Sequence, residues 1–366
     1  MNLELAKADR RSLWIKLGSA ALIIRFLFAF FPELCELLYS RGIYPWIRFF
    51  MDHSFAYLPF PGVYLVLLAA LIWLIFFIKR NLKSKFNFKG VIYSGLAFIS
   101  FIVFWFLLLW GYNYSRVPLK QQIALEVPDS IGYDVVWAEA QFIKNKCKEI
   151  RDQIPGADTN AIDVSFYPEN LQDTMRVLLE SVLEEYGYDV SAHVKARYLK
   201  PEGILMRFNS SGVYFPFTGE ANIDAAVHPV VKPFTTAHEL AHGYGFGSEA
   251  SCNFLGFLAC IRSDNKAIQY AGYLTYWRYV YGSLMEYLTE EEYMTERATI
   301  DRGIHNDIAA IYTVLDNHLP YLPFLQPAVY DLFLKIQGVR DGIQSYDRML
   351  IMVACWRKTA DLFFEK

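Results

Sequence analysis

Three long apolar runs near the amino terminus, at about 13–34, 55–78 and 91–112, limit the architecture of this chain more than any other feature. Each has the roughly 20 residues that a helix needs to cross a hydrocarbon layer of about 30 Å. Backbone in lipid must satisfy its own hydrogen bonds, so these runs are confined to helices. The chain is 54% hydrophobic and 17% aromatic, too apolar for an ordinary soluble enzyme of this length, and the excess lies at the front. Arg25 interrupts the first run, where an ionised side chain snorkels or finds a partner among the helices. No small-residue cleavage site follows that run, so it reads as an anchor rather than a removable signal.

Charge orients the three spans. Lys7, Arg10, Arg11 and Lys16 precede or open the first, and Lys79, Arg80, Lys83, Lys85 and Lys89 fill the second connection, whereas the first connection offers only Arg41 and Arg48. Positive loops stay in the cytoplasm. The expectation is a multi-pass protein of the cell membrane with a cytoplasmic amino terminus, a transmembrane region over 1–113 and an extracytoplasmic domain over 114–366. That second part is long enough for a substantial core. Its helical periodicity is marked over 133–154, 168–186, 267–288, 291–308 and 341–356. Ile204 to Phe208 and Gly212 to Phe217 read as a short hairpin. The fold class is therefore mainly α with a small β-sheet.

The chemistry is carried by His238-Glu239-Leu240-Ala241-His242. On a helix, residues four apart share a face, so His238 and His242 reach one Zn2+ while Glu239 stands beside it as a base. A catalytic zinc has three protein ligands and keeps one position open. Gly243, Gly245 and Gly247 allow the chain to reverse after the motif, and Ser248 is a helix cap that puts Glu249 in a first helical turn, so Glu249 is the favoured third ligand. Glu220, Asp264 and Glu286 are the alternatives. Asn253, four residues beyond Glu249, is placed to accept the outer N–H of one histidine.

The pair His238-Glu239-Leu240-Ala241-His242 and Glu249-Ala250-Ser251-Cys252-Asn253 resembles the glutamate-type zincins of the thermolysin-like clan, whose second helix carries Glu-Ala-x-x-Asp. Here the last residue is Asn253, and the linker is shorter than in thermolysin. Ser248 stands where a related class of zinc proteases has its third His, which separates this chain from that class. Trp110 to Tyr114, Gly212 to Asn222, the histidine motif and Gln337 to Arg348 together look like a bacterial domain-of-unknown-function family of membrane proteins with a zinc-peptidase-like domain. The resemblance implies a three-helix transmembrane region joined to a zincin-like α+β metallopeptidase domain, and one zinc ion.

From these readings the chain is expected to be a membrane-anchored zinc metallopeptidase that hydrolyses peptide bonds of a peptide or protein, with Glu239 as general base. Val213, Tyr214, Phe215, Pro216, Phe217, Gly219, Glu220 and Ala221 precede the motif where an edge strand would hold an extended substrate. An oxyanion donor is sought among Tyr346, Arg348, His228 and His305, with Tyr346 favoured for its place in the family-like segment. The competing expectation is a non-enzymatic cell-envelope module that binds on a zincin fold. Cys35, Cys147, Cys252, Cys260 and Cys355 have no zinc-knuckle or redox spacing. The net charge of −3, with neither a basic stripe nor a phosphate loop, argues against a nucleic-acid partner, and the lipid bilayer is the other partner expected.

Overall fold

A computed structural model of the chain describes residues 2–82, 88–162, 167–336 and 348–364. It is mainly helical with one three-stranded sheet of order β1-β3-β2, where β1 is Ala196–Leu199, β2 Gly212–Phe215 and β3 Glu220–Asp224. The chain divides into two compact units, the first Met1–Val117 with Phe215–Glu220, the second Pro118–Tyr214 with Ala221–Lys366. In the first unit the Arg116 guanidinium is 2.7 Å from the carboxylate of Glu36.

In the first unit the helices Asn2–Phe30 and Phe88–Leu109 pack closely. Gly18 permits it: a Cβ there would meet Ser100 at 2.7 Å, the small-residue contact by which helices approach in lipid. Trp14 meets Phe101 edge-on at 4.6 Å, and Trp73 stacks on Phe98 at 4.2 Å. Outward faces carry Leu22, Phe26, Leu71, Phe76, Ile92 and Ile99, all exposed, an apolar exterior suited to lipid. Arg25 hydrogen-bonds the Ser115 hydroxyl, which gives the charge within this apolar helix a partner. After the third apolar helix the chain is pinned by Tyr39 to the Leu108 carbonyl at 2.8 Å and by Ser40 to the Asn113 side chain at 2.9 Å.

Among the described residues two helices, Arg10–Phe30 and Phe88–Leu109, are long and apolar enough to cross a membrane. The middle run expected over 55–78 differs. It begins with a tight turn at Phe55–Tyr57, and Pro59, Pro61 and Gly62 delay the helix to Val63, so that its apolar part is Val63–Lys79. The helix runs on to Leu82, and at 1.5 Å per residue its 20 residues are roughly 30 Å long.

The second unit is a helical core around Glu249–Ile261, buried along nearly its whole length between Leu171–Glu185, Lys232–Gly243 and Lys266–Leu284. Gly256 brings the two central helices together, the position of its absent Cβ lying 3.4 Å from the His238 nitrogen. In the sheet, β3 is central and pairs in parallel with β1, Ala196 facing Ala221. The strand expected over Ile204–Phe208 is instead a tight helical turn at Met206–Phe208. The Asp224 carboxylate takes the N–H groups of Gly203, Leu205 and Met206 at 2.7, 2.7 and 3.2 Å, and thereby removes the donors a strand would use. The single helix expected over 291–308 is broken into Glu290–Ala298 and Arg302–Asp316, because Asp301 caps the second by accepting from Gly303 at 2.8 Å.

Candidate metal centre

Pro233 near its start and a full turn of backbone bonds set the helix Lys232–Gly243, which presents His238 and His242 on one face. The chain then turns at Gly245, whose φ of +86° suits glycine, and re-enters a helix at Glu249 under a cap from Ser248, whose hydroxyl accepts from Ser251. This reversal brings three side chains together: among the described residues, His238, His242 and Glu249 form the one group whose ligand atoms converge.

The two Nε2 atoms are 3.2 Å apart, and the Glu249 Oε2 is 3.1 Å from His238 Nε2 and 3.6 Å from His242 Nε2. Zinc bonds of about 2.0–2.1 Å in tetrahedral arrangement separate ligand atoms by about 3.3 Å, so the spacing fits one such ion. The far side of each ring is engaged. His238 Nδ1 is 2.7 Å from the Asn253 side-chain oxygen, and His242 Nδ1 is 2.8 Å from the Phe246 carbonyl. An acceptor at Nδ1 holds the proton there and leaves the Nε2 lone pair for a metal. Asn253 in turn donates to the Tyr279 hydroxyl at 3.2 Å. Cys252 Sγ lies 3.3 Å from His242 Nδ1, on the ring face away from the convergence, and burial pushes its thiol up. It does not complete a fourth ligand.

Electrostatics within the cluster are strong. Burial pushes the Glu249 carboxyl up, but the imidazoles of His242 and His238 more than offset this and hold it well below the usual carboxylate range. Burial disfavours the His242 imidazolium, yet Cys252 and Glu249 hold it well above the usual range. A carboxylate and two basic nitrogens at this distance require either a shared proton or a cation. Glu239 is buried and its carboxyl is raised by that burial, with the two histidines acting in the opposite sense. The backbone N–H of Tyr214 hydrogen-bonds the same carboxylate.

Strand β2 lies against this base. A Cβ on Gly212 would stand 2.7 Å from both Cγ and Oε1 of Glu239. Since β3 is the central strand, β2 is an edge. Val213 is exposed and Tyr214 buried. The other residues expected to face substrate fall on both sides of the division between the units. Phe215, Pro216, Phe217, Gly219 and Glu220 belong to the first unit, where the Gly219 carbonyl accepts from Arg48 at 2.7 Å and Glu220 accepts from the Gly62 N–H at 2.7 Å. Ala221 is fully buried at its pairing with Ala196.

Tyr346 lies outside the described residues. His228 accepts from the Val230 N–H at 3.3 Å and His305 Nε2 is 2.8 Å from the Arg297 carbonyl, so both have local tasks. Asp264 and Glu286 are not among the converging groups, and all five cysteines are free. Sequence reading missed Phe246, Tyr279 and Gly212. The first acts through its carbonyl and the second from a distant helix, neither of which has a local signature; the glycine precedes a short apolar strand, a hint of close backbone approach.

A family model described as "Protein of unknown function (DUF3810)" matches residues 39–353. No curated protein and no solved structure matches the chain.

Proposed function

The chain belongs to the DUF3810 family of unknown function, and we propose that it is a membrane-anchored zinc metallopeptidase whose domain from about residue 114 onward works at the outer face of the cell membrane. The observation that carries this reading is the convergence of His238 Nε2, His242 Nε2 and Glu249 Oε2 within 3.1–3.6 Å, with each outer ring nitrogen already engaged. The donor set, two imidazoles and one carboxylate, suits zinc, and three ligands leave room for a reactant. A zinc ion held there would supply a Lewis acid that acidifies water and polarises a carbonyl.

Glu239 is the base. Its buried carboxylate adjoins the histidine pair, takes a proton from the attacking water and returns it to the leaving amine. Asn253 and the Phe246 carbonyl keep the imidazoles oriented. The edge of β2 beside Glu239 offers main-chain groups along which an extended peptide can pair, with Val213 as its accessible side chain. A zincin-type fold accounts for this order of strand, ligand helix and second ligand helix.

Orientation depends on the parity of crossings. Three crossings, including the shorter Val63–Leu82, place the domain opposite the cytoplasmic amino terminus, and the basic second connection favours that count. Two crossings would return the domain to the cytoplasm.

Metal analysis of the purified full chain, with peptide-library cleavage with and without a chelator, tests the activity. One zinc per chain and chelator-sensitive turnover are expected, with Glu239→Gln retaining zinc and losing turnover by about 10²–10⁴-fold. Full turnover by the Glu239→Gln protein with zinc still bound would refute the hydrolytic reading. Zinc without turnover in the wild-type chain would instead favour a non-enzymatic envelope module.

A further inference from the structure

The second unit carries an apolar prominence that its own core does not use. Tyr321, Leu322 and Phe324 on the loop before the helix Leu325–Ile336, and Leu325, Val329 and Leu332 on that helix, are each more than half exposed, Phe324 at 91%. The helical three recur at intervals of four and three residues, one face of a helix. The segment is held in shape at its base: the Tyr321 N–H donates to the Arg207 carbonyl at 3.0 Å, the Arg207 guanidinium lies 5.3 Å from the Tyr321 ring, and Phe208 meets that ring at 5.9 Å. From Leu319 to Ile336 the only charged residues are Asp331 and Lys335, which neutralise each other at 2.7 Å.

We propose that this segment rests in the interfacial layer of the lipid bilayer as a second, non-spanning membrane contact. The proposal rests on the membrane attachment argued above and extends it to the second unit. Chain length makes lipid the available occupant: the last spanning helix ends at Leu109 and the second unit begins at Pro118. Even fully extended, that connection reaches only about 30 Å, and the turn at Gly111–Ser115 shortens it. The second unit is therefore tethered within about 30 Å of the end of that helix. Composition selects the same partner. Tyr and Phe between prolines, with aliphatic side chains behind them and no net charge, match the residues that settle at the boundary of headgroups and acyl chains. An exposed apolar patch of this size is otherwise costly in water.

Nitroxide labels in the full chain, reconstituted in vesicles of phosphatidylcholine and phosphatidylglycerol, test this. Phe324→Cys and Leu322→Cys are labelled separately on a Cys355→Ser background, since Cys355 is the least buried of the native thiols. Collision with molecular oxygen is compared with collision with a water-soluble nickel chelate. Ile99→Cys on a spanning helix is the lipid reference and Val177→Cys, exposed on the helix Leu171–Glu185, is the aqueous one. Oxygen should exceed nickel severalfold at positions 324 and 322, as at 99, with the reverse at 177. Nickel collision matching position 177 would overturn the proposal, and so would a label that neither reagent reaches, which would mean that protein covers the face. An aqueous signal at 99 as well would show that the membrane attachment itself had failed.

Discussion

Replacing Gly212 with alanine should cost catalysis without costing metal. The new Cβ would lie 2.7 Å from Cγ and Oε1 of Glu239 and 2.9 Å from its Cδ, against ordinary contacts of 3.4 Å or more. The carboxylate must therefore shift by about 0.7 Å or β2 must retreat by as much. Neither is easy, because Glu239 is buried and the Tyr214 N–H fixes the carboxylate to the same strand. A misplacement of about 1 Å in a catalytic group is worth about 10²-fold, so turnover should fall by about 10–100-fold. The three atoms nearest to that Cβ all belong to Glu239 and none to the histidines or Glu249, so zinc content should stay at one per chain. The assay pairs metal analysis with initial rates on a peptide from the cleavage library, and Val177→Ala, exposed on the helix Leu171–Glu185, serves as the control. Unchanged turnover in Gly212→Ala would refute the placement of β2 against the base. Loss of zinc in parallel with turnover would show that the substitution had damaged the ligand set instead.

Asn253→Leu removes the acceptor 2.7 Å from His238 Nδ1 and should weaken zinc binding by about 10–100-fold, measured by chelator competition. Removing zinc should lower the thermal midpoint of the detergent-solubilised chain, since an ion at 1,000 times its dissociation constant contributes about 4 kcal/mol, and readdition should restore it; a midpoint indifferent to chelator would refute a metal bound to the folded state. Asp224→Ala leaves buried backbone donors at Gly203, Leu205 and Met206 without their acceptor and should cost about 2–4 kcal/mol, read as a lower unfolding midpoint with zinc stoichiometry intact. Gly18→Leu should disrupt the crossing at Ser100 and reduce membrane-inserted protein, measured against Leu22→Ile on the exposed side as a neutral change.

The parts legible in the sequence are those encoded locally. The helix beginning at Glu249, its Ser248 cap and the turn at Gly245 follow from residue types within a few positions of one another. The two longer apolar helices announce themselves by composition alone. What was misread depends on distant partners. Ile204 to Phe208 has the texture of a strand, yet Asp224, far along the chain, takes its N–H groups and curls it into a turn. The contacts that Gly219 and Glu220 make with Arg48 and Gly62 in the first unit likewise have no local signature. The late start of the second apolar helix was foreshadowed by Pro59 and Pro61, whose effect a hydropathy window averages away.

The cost of burying Glu239 bears on which of the two functional readings is more economical. A structural zinc needs ligands and no more, and a buried carboxylate beside it adds a desolvation penalty and repulsion from Glu249. Here that penalty is accepted, and the neighbouring strand has no side chain at Gly212, where a Cβ would collide with the carboxylate. A binding groove with an inert ion would be more stable with a small apolar residue at 239, which has no Cγ to meet a Cβ at 212, and a β-branched residue at 212, where strand propensity favours it. Glu239→Ala with Gly212→Val is therefore the discriminating double substitution. On the catalytic reading it should raise the unfolding midpoint, retain zinc and abolish turnover. A lower midpoint with zinc still bound would mean that Glu239 is itself a structural support, and the inference drawn from its burial would fall.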